Sequence, residues 1–266
     1  MSSQTPAISR ESPILEVIDL HKAFGSQRVL RGLELAVPAG QITVIIGGSG
    51  SGKSVLVKHL VGLLRPDRGE VRLHGRDLFG LSPAELLVAR RKFGMLFQAG
   101  ALFDSMTVYE NVAFPLREHR RLGPGAEKDL VHARLAELNL HDVDDKYPAE
   151  LSGGMKKRVA LARATILDPE IIIYDEPTTG LDPVMIAQVD DMIAQTQARH
   201  AVTSIVISHD MASTFRIAHR IAMLHEGRIV ELGTPTEIRN SLNPVVRRFI
   251  FVSGTGPLQA APAGVA

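Results

Sequence analysis

The chain has 266 residues, 30 Lys and Arg against 29 Asp and Glu, and no cysteine. Its formal charge of +1 leaves no basic field suited to nucleic acid, and the missing cysteines exclude disulfides, thiolate metal sites and cysteine nucleophiles. No apolar run approaches the ~20 residues that span a bilayer, and Met1 to Ser12 lacks the charged start and apolar core of a secretory signal, so a membrane role is expected to run through a partner.

In chain order, residues 1–12 are rich in Ser and Pro and are expected to hold little fixed structure. Strands are predicted at Leu15–Leu20 and Arg28–Val37, then at Gln41–Ile46, an apolar β-branched run typical of a buried strand. A helix is predicted from Ser54 to Leu60 and a strand over Glu70–His74. Ser82 with Pro83 and Glu85 reads as an N-cap, first-turn proline and N3 glutamate, starting a helix that runs to about Arg91. A strand over Phe93–Phe97 follows.

From Thr107 to about Leu140 the apolar period becomes helical. Val108, Val112 and Leu116 are expected on one face, and Leu130, Leu135 and Leu138 on another, with Gly123-Pro124-Gly125 as the break. Ser152 opens a further helix through Thr165. Strands then recur at Ile171–Asp175, Ser204–Ser208, Arg220–Leu224 and Arg228–Leu232, with helices at Pro183–Arg199 and Met211–Ala218. This is an α/β pattern with apolar parallel strands, interrupted by a mainly helical insertion at about 99–165. No internal repeat is visible, so one chain supplies one cassette. Residues 253–266 again read as a loose tail.

Gly47-Gly48-Ser49-Gly50-Ser51-Gly52-Lys53-Ser54 satisfies G-x-x-x-x-G-K-[ST] between a predicted strand and a predicted helix. Consecutive N–H groups of such a loop face one concavity at a helix N-terminus, where a polyphosphate is favoured. Lys53 adds a point charge near the β- and γ-phosphates, and the Ser54 hydroxyl is placed for Mg²⁺. The run Ile171-Ile172-Ile173-Tyr174 ends in Asp175 and Glu176, at the strand end where open α/β sheets bind ligands. Successive strand residues point to opposite sides, so Asp175 is expected to hold Mg²⁺ and Glu176 to polarise the attacking water. Lys156-Lys157-Arg158 is read as a solvated helix face rather than an anion site.

With these motifs in place, the chain resembles the ATP-binding-cassette ATPases. Leu151-Ser152-Gly153-Gly154-Met155 matches their signature loop, although Met155 stands where most members carry glutamine. Gln98 falls at their Q-loop, Gly180-Leu181-Asp182 at the D-loop and His209 at the switch histidine. Phe24 sits at the aromatic that stacks on adenine. The likeness covers residues 15 to about 240. It implies a P-loop NTPase (RecA-like) core sheet with an antiparallel β-subdomain and an inserted α-helical subdomain. In domain terms, a nucleotide-binding domain over 13–240 would be followed by a C-terminal extension with a flexible tail at 241–266.

The resemblance further implies catalytic roles for Glu176, His209, Gln98 and Lys53, and ATP contacts from Phe24 and from Gly47 through Ser54 to Val55. It also implies Mg²⁺ ligands at Ser54, Gln98 and Asp175. The family works as a head-to-tail dimer, in which Ser152, Gly153, Gly154 and Met155 would meet the nucleotide held by the partner and Asp182 would lie at the seam.

Phe97 to Val112, with Ala99-Gly100-Ala101-Leu102-Phe103-Asp104-Ser105-Met106 within it, resembles the ATPases of Mla/Mce-type lipid transporters, as do Ser54–Leu60, Met155 and Asn243–Ile250. That likeness implies an integral-membrane permease, a Mce-domain lipid-binding protein and a small STAS-domain protein as partners, at the cytoplasmic face of the inner (plasma) membrane. Ala101, Leu102 and Phe103 would line a groove for a permease helix, with Asp104 and Glu110 pairing its basic residues. An ATPase subunit of a lipid transporter, one of another importer for amino acids or other small solutes, and a regulatory nucleotide-binding module remain as readings.

Overall fold

Ile42 to Ile46 form a strand, β3, buried along its whole length, because strands flank it on both sides and apolar layers cover both faces. The computed structural model describes residues 13–97, 100–120 and 122–253. Within them β3 pairs in parallel with β8 (Thr203–Ser208) and β9 (Arg220–His225). The sheet continues through β7 (Ile171–Asp175) to β6 (Phe93–Leu96), and β10 (Arg228–Gly233) adds an antiparallel edge, giving the order β10-β9-β3-β8-β7-β6. A second, antiparallel sheet runs β2-β1-β4-β5, from Gln27–Pro38, Pro13–Phe24, Arg68–Leu73 and Arg76–Asp77.

Alternation along β3 divides the interior. Ile45 joins the core shared with the antiparallel sheet and α1 (Lys53–Leu60), whereas Ile42, Val44 and Ile46 join the core under α6 (Pro183–His200) and α7 (Met211–Ile217). A third core belongs to α3 (Val108–His119), α4 (Pro124–Glu137) and α5 (Gly153–Thr165).

The capped helix at Ser82 is α2 (Pro83–Arg90), and both bonds of its capping box are made. In α3 the predicted inner face holds: Val108, Val112 and Leu116 are buried. In α4 it does not. Leu130 is exposed, and Val131 turns inward with Leu135, since Val131, Leu135 and Leu138 follow the i, i+4, i+7 spacing of one stripe. Two short helices escaped the periodicity, α8 (Pro235–Arg239) and α9 (Pro244–Val252). The latter is capped by Asn243 and lays Val246 and Ile250 on the second core. The expected loose termini lie outside the described residues, apart from Ser253.

Candidate functional site

The phosphate loop leaves β3 at Ile46 and enters α1 at Lys53. Its glycines are there for backbone reasons. Gly50 and Gly52 have φ of 75° and 110°, and a Cβ on Gly47 would stand 2.4 Å from the Leu224 carbonyl. Lys53 Nζ folds back to donate to Gly47 O at 2.7 Å and Gly48 O at 3.2 Å. Burial pushes the Lys53 pKa down, against the pull of Glu176 and Asp175. Gly48, Ser49, Gly50 and Ser54 are open to solvent, while Ser51 is buried with its hydroxyl unpartnered among the described residues. Val55 packs against the first core.

Asp175 ends β7 beside Ile207 of β8. Burial, and then the charge of Glu176, raise its pKa, while Lys53 lowers it. Two adjoining carboxylates with one ammonium as counter-charge suit a cation that brings further oxygen ligands from phosphates and water, as Mg²⁺ does. Among the described residues no cluster of three or more His, Asp or Glu could hold a metal alone.

The two carboxylates do not diverge by simple strand alternation. Glu176 has left the strand, with φ at 50° and its N–H bonded to Ile207 O at 3.0 Å. Its Oε2 accepts from Thr179 Oγ1 at 3.0 Å and lies 2.7 Å from His209 Nδ1. His209 is not a helix cap, since Asp210 caps α7.

Ser152 caps α5, its hydroxyl accepting from Met155 N at 3.3 Å. Met155 packs on the third core, which accounts for an apolar residue at this point of the signature loop. Asp182 caps α6 through the N–H groups of Val184 and Met185. Phe24 is 49% exposed at the end of β1, with Lys22 Nζ 5.7 Å from its ring; it is not a core residue. Gln98 lies outside the described residues.

Three expectations need correction. Lys157 is buried, not solvated, because α5 turns it toward Pro177, whose carbonyl accepts from its ammonium. Leu102 packs against the second and third cores instead of facing a groove. The Glu110 carboxylate is engaged in the capping box of Thr107. The groove itself exists as a cavity of about 480 Å³, lined by Leu87, Phe97, Ala101, Phe103 and Phe114 among others. Its lining also includes Arg90, Arg91, His119 and Arg163, so its charge is the reverse of that expected from Asp104 and Glu110. Thr179 and Lys157 are the site neighbours that sequence reasoning missed. A Thr three residues after Glu176 was a usable signal, whereas the basic run hid Lys157.

Residues 30–179 match the family described as ABC transporter. The chain is 42% identical over 244 residues to the probable ribonucleotide transport ATP-binding protein mkl of Mycobacterium tuberculosis, covering 92% of this chain and 68% of that protein. It is 36% identical over 252 residues to the intermembrane phospholipid transport system ATP-binding protein MlaF of Escherichia coli, covering 94% of each. Among solved structures, a dimeric post-hydrolysis ATP-binding cassette bound to ADP and Pi superposes with a TM-score of 0.74 at 28% identity, covering 83% of this chain and 98% of that one.

Proposed function

The chain belongs to the ABC transporter family, and from that premise we propose that it is the ATP-hydrolysing subunit that drives phospholipid movement through a separate membrane permease. The observation that carries the lipid reading is the match to the phospholipid-transport ATPase along 94% of both chains. The resemblance of Phe97–Val112 to lipid-transporter ATPases points the same way.

In this reading the loop N–H groups and Lys53 cradle the β- and γ-phosphates of ATP. Ser54, Gln98 and Asp175 would hold Mg²⁺, which when bound supplies charge compensation at the phosphate oxygens. Glu176 orients a water against the γ-phosphorus and takes its proton as the bond to the β,γ-bridging oxygen breaks, leaving ADP and phosphate. His209 and Thr179 hold that carboxylate in place. Phe24, exposed at the end of β1, would stack on adenine.

The signature loop acts in a head-to-tail homodimer, with Ser152, Gly153 and Gly154 presenting donors to the partner's γ-phosphate at the capped start of α5. The dimeric cassette bound to ADP and Pi supports the dimer. Among the described residues no helix is long and apolar enough to cross a membrane. In this reading the dimer sits on the cytoplasmic face of the inner membrane through its permease, whose cytoplasmic helix enters the groove at Phe103. A Mce-domain protein and a STAS-domain protein complete the assembly.

The relative named for ribonucleotide transport supports a second reading, with a different cargo on the same ATPase. Reconstitution with the copurifying permease separates the two. ATP-dependent movement of labelled phospholipid between vesicles is expected, and nucleotide uptake without lipid movement would overturn the lipid assignment while leaving the ATPase.

A further inference from the structure

Lys157 lies in the second turn of α5 and is only 7% exposed. An ammonium out of water normally has a carboxylate beside it. This one has a backbone carbonyl, that of Pro177, as its hydrogen-bond partner, and burial alone drives its pKa down. Pro177 follows Glu176 directly, at the point where the backbone takes its left-handed turn.

A close approach lies one turn earlier on the same helix. A Cβ on Gly154 would come within 3.0 Å of Met185 Cε, in the first turn of α6 just past Asp182. The start of α5 is therefore bonded to one end of the segment that runs from Glu176 to α6, at Pro177, and lies close against the other, at Met185. Gly154, Lys157 and Met185 also line a cavity of about 430 Å³ bounded by α4, α5 and α6. At its far end α4 meets α6, where Arg199 donates to Glu137 O and Arg134 and His200 approach the Glu137 carboxylate. A shift at the N-terminal end of α5 therefore reaches the catalytic segment through the Lys157–Pro177 bond and beside Met185.

We propose that Lys157 is a positioning residue, a strut that transmits engagement of the signature loop to Glu176 and so links the two nucleotide sites of the dimer. The proposal rests on the head-to-tail arrangement above. There, Ser152 to Gly154 meet the partner's ATP while Glu176 of the same chain acts on its own. Lys157 joins the two, and the second ATP then binds to a dimer whose catalytic carboxylate is already set by the first.

The test is the ATP dependence of turnover by the full chain, wild type against Lys157→Met and Lys157→Arg. ADP affinity and the thermal midpoint are measured alongside. The wild type and Lys157→Arg should give Hill coefficients above one, toward the limit of about two set by two sites. Lys157→Met should fall to one with ADP affinity unchanged. Its thermal midpoint should not drop, because the substitution removes a buried charge without a counter-ion; a merely structural lysine would lower the midpoint and leave the Hill coefficient alone.

A Lys157→Met enzyme as cooperative as wild type, a non-cooperative wild type, or a folded Lys157→Arg that stays non-cooperative would each overturn the strut. If Lys157→Met does not fold, Lys157→Gln is read in the same way. Size-exclusion chromatography of Glu176→Gln chains with ATP tests the arrangement separately. No ATP-dependent dimer overturns the head-to-tail reading, whereas a normal dimer with unchanged cooperativity overturns Lys157 alone.

Discussion

His209 Nδ1 stands 2.7 Å from Glu176 Oε2, an atom that also accepts from Thr179 Oγ1. Both restraints fall on one carboxylate oxygen, so Oε1 carries no hydrogen bond among the described residues and is the atom left to meet a water. Glu176→Gln should bind ATP normally and lose about 10²–10⁴-fold in turnover, the usual worth of a positioned base. His209→Ala should lower kcat with KM for ATP little changed, because it frees the carboxylate without touching the phosphate loop. Steady-state phosphate release measures both, and a Glu176→Gln enzyme at wild-type rate removes Glu176 from the mechanism.

Lys53→Ala should abolish ATP binding, seen by calorimetry, since the loop loses the cation that meets the β- and γ-phosphates. Without nucleotide the sign differs. Its folded pKa lies below the ordinary 10.5, burial being the main cause, so the folded state holds this proton more weakly than the unfolded chain. The charged form is therefore unfavourable at neutral pH, and that cost fades as pH rises through 10.5. The thermal midpoint of nucleotide-free Lys53→Ala should accordingly not fall, while its rise on adding ATP should disappear.

Asp175 gives the opposite titration. Its folded pKa is raised above 3.8 by burial and then by Glu176, so the folded state holds the proton more tightly than the unfolded chain. Stability falls as pH climbs from 3.8 through the raised value, and the penalty persists above it. Asp175→Asn should remove that limb from a plot of thermal midpoint against pH and should abolish Mg²⁺-dependent turnover. In the wild type, Mg²⁺ affinity of the nucleotide complex should weaken on acidification through the raised value. A pH profile of stability identical in the variant would dismiss Asp175 as its source.

The groove prediction now falls on Phe103 rather than on Asp104. Phe103 packs against Phe114 with ring centroids 5.0 Å apart and planes tilted by 58°, and has the Arg163 guanidinium 5.4 Å from its ring, while Asp104 is outside the cavity lining. Phe103→Ala should keep basal ATP turnover and weaken permease binding by about 1–2 kcal/mol, as for a central aromatic anchor. Asp104→Lys should change neither. Copurification of permease with each variant checks this; tight binding by Phe103→Ala would move the docking surface elsewhere.

Much of the site was legible along the chain because its determinants are local. Gly47 to Ser54 must leave a strand, tolerate positive φ and start a helix, so residue types alone mark the loop. Ser82, Thr107 and Ser152 announce helix starts through hydrogen bonds three residues long. Continuous apolar runs likewise marked β3, β7 and β8 as buried strands.

Burial and partner choice were not local, and there the tertiary structure decided. His209 meets Glu176 across 33 residues because β7 and β8 are neighbours in the sheet. Lys157 sits in a run of three basic residues that reads as solvated, yet one of the three faces the segment after Glu176 once α5 packs beside α6. Helix and strand periods are written in backbone geometry, which each short segment carries by itself. Which side of a helix is dry, and which carbonyl a buried ammonium finds, depends on elements far away in sequence.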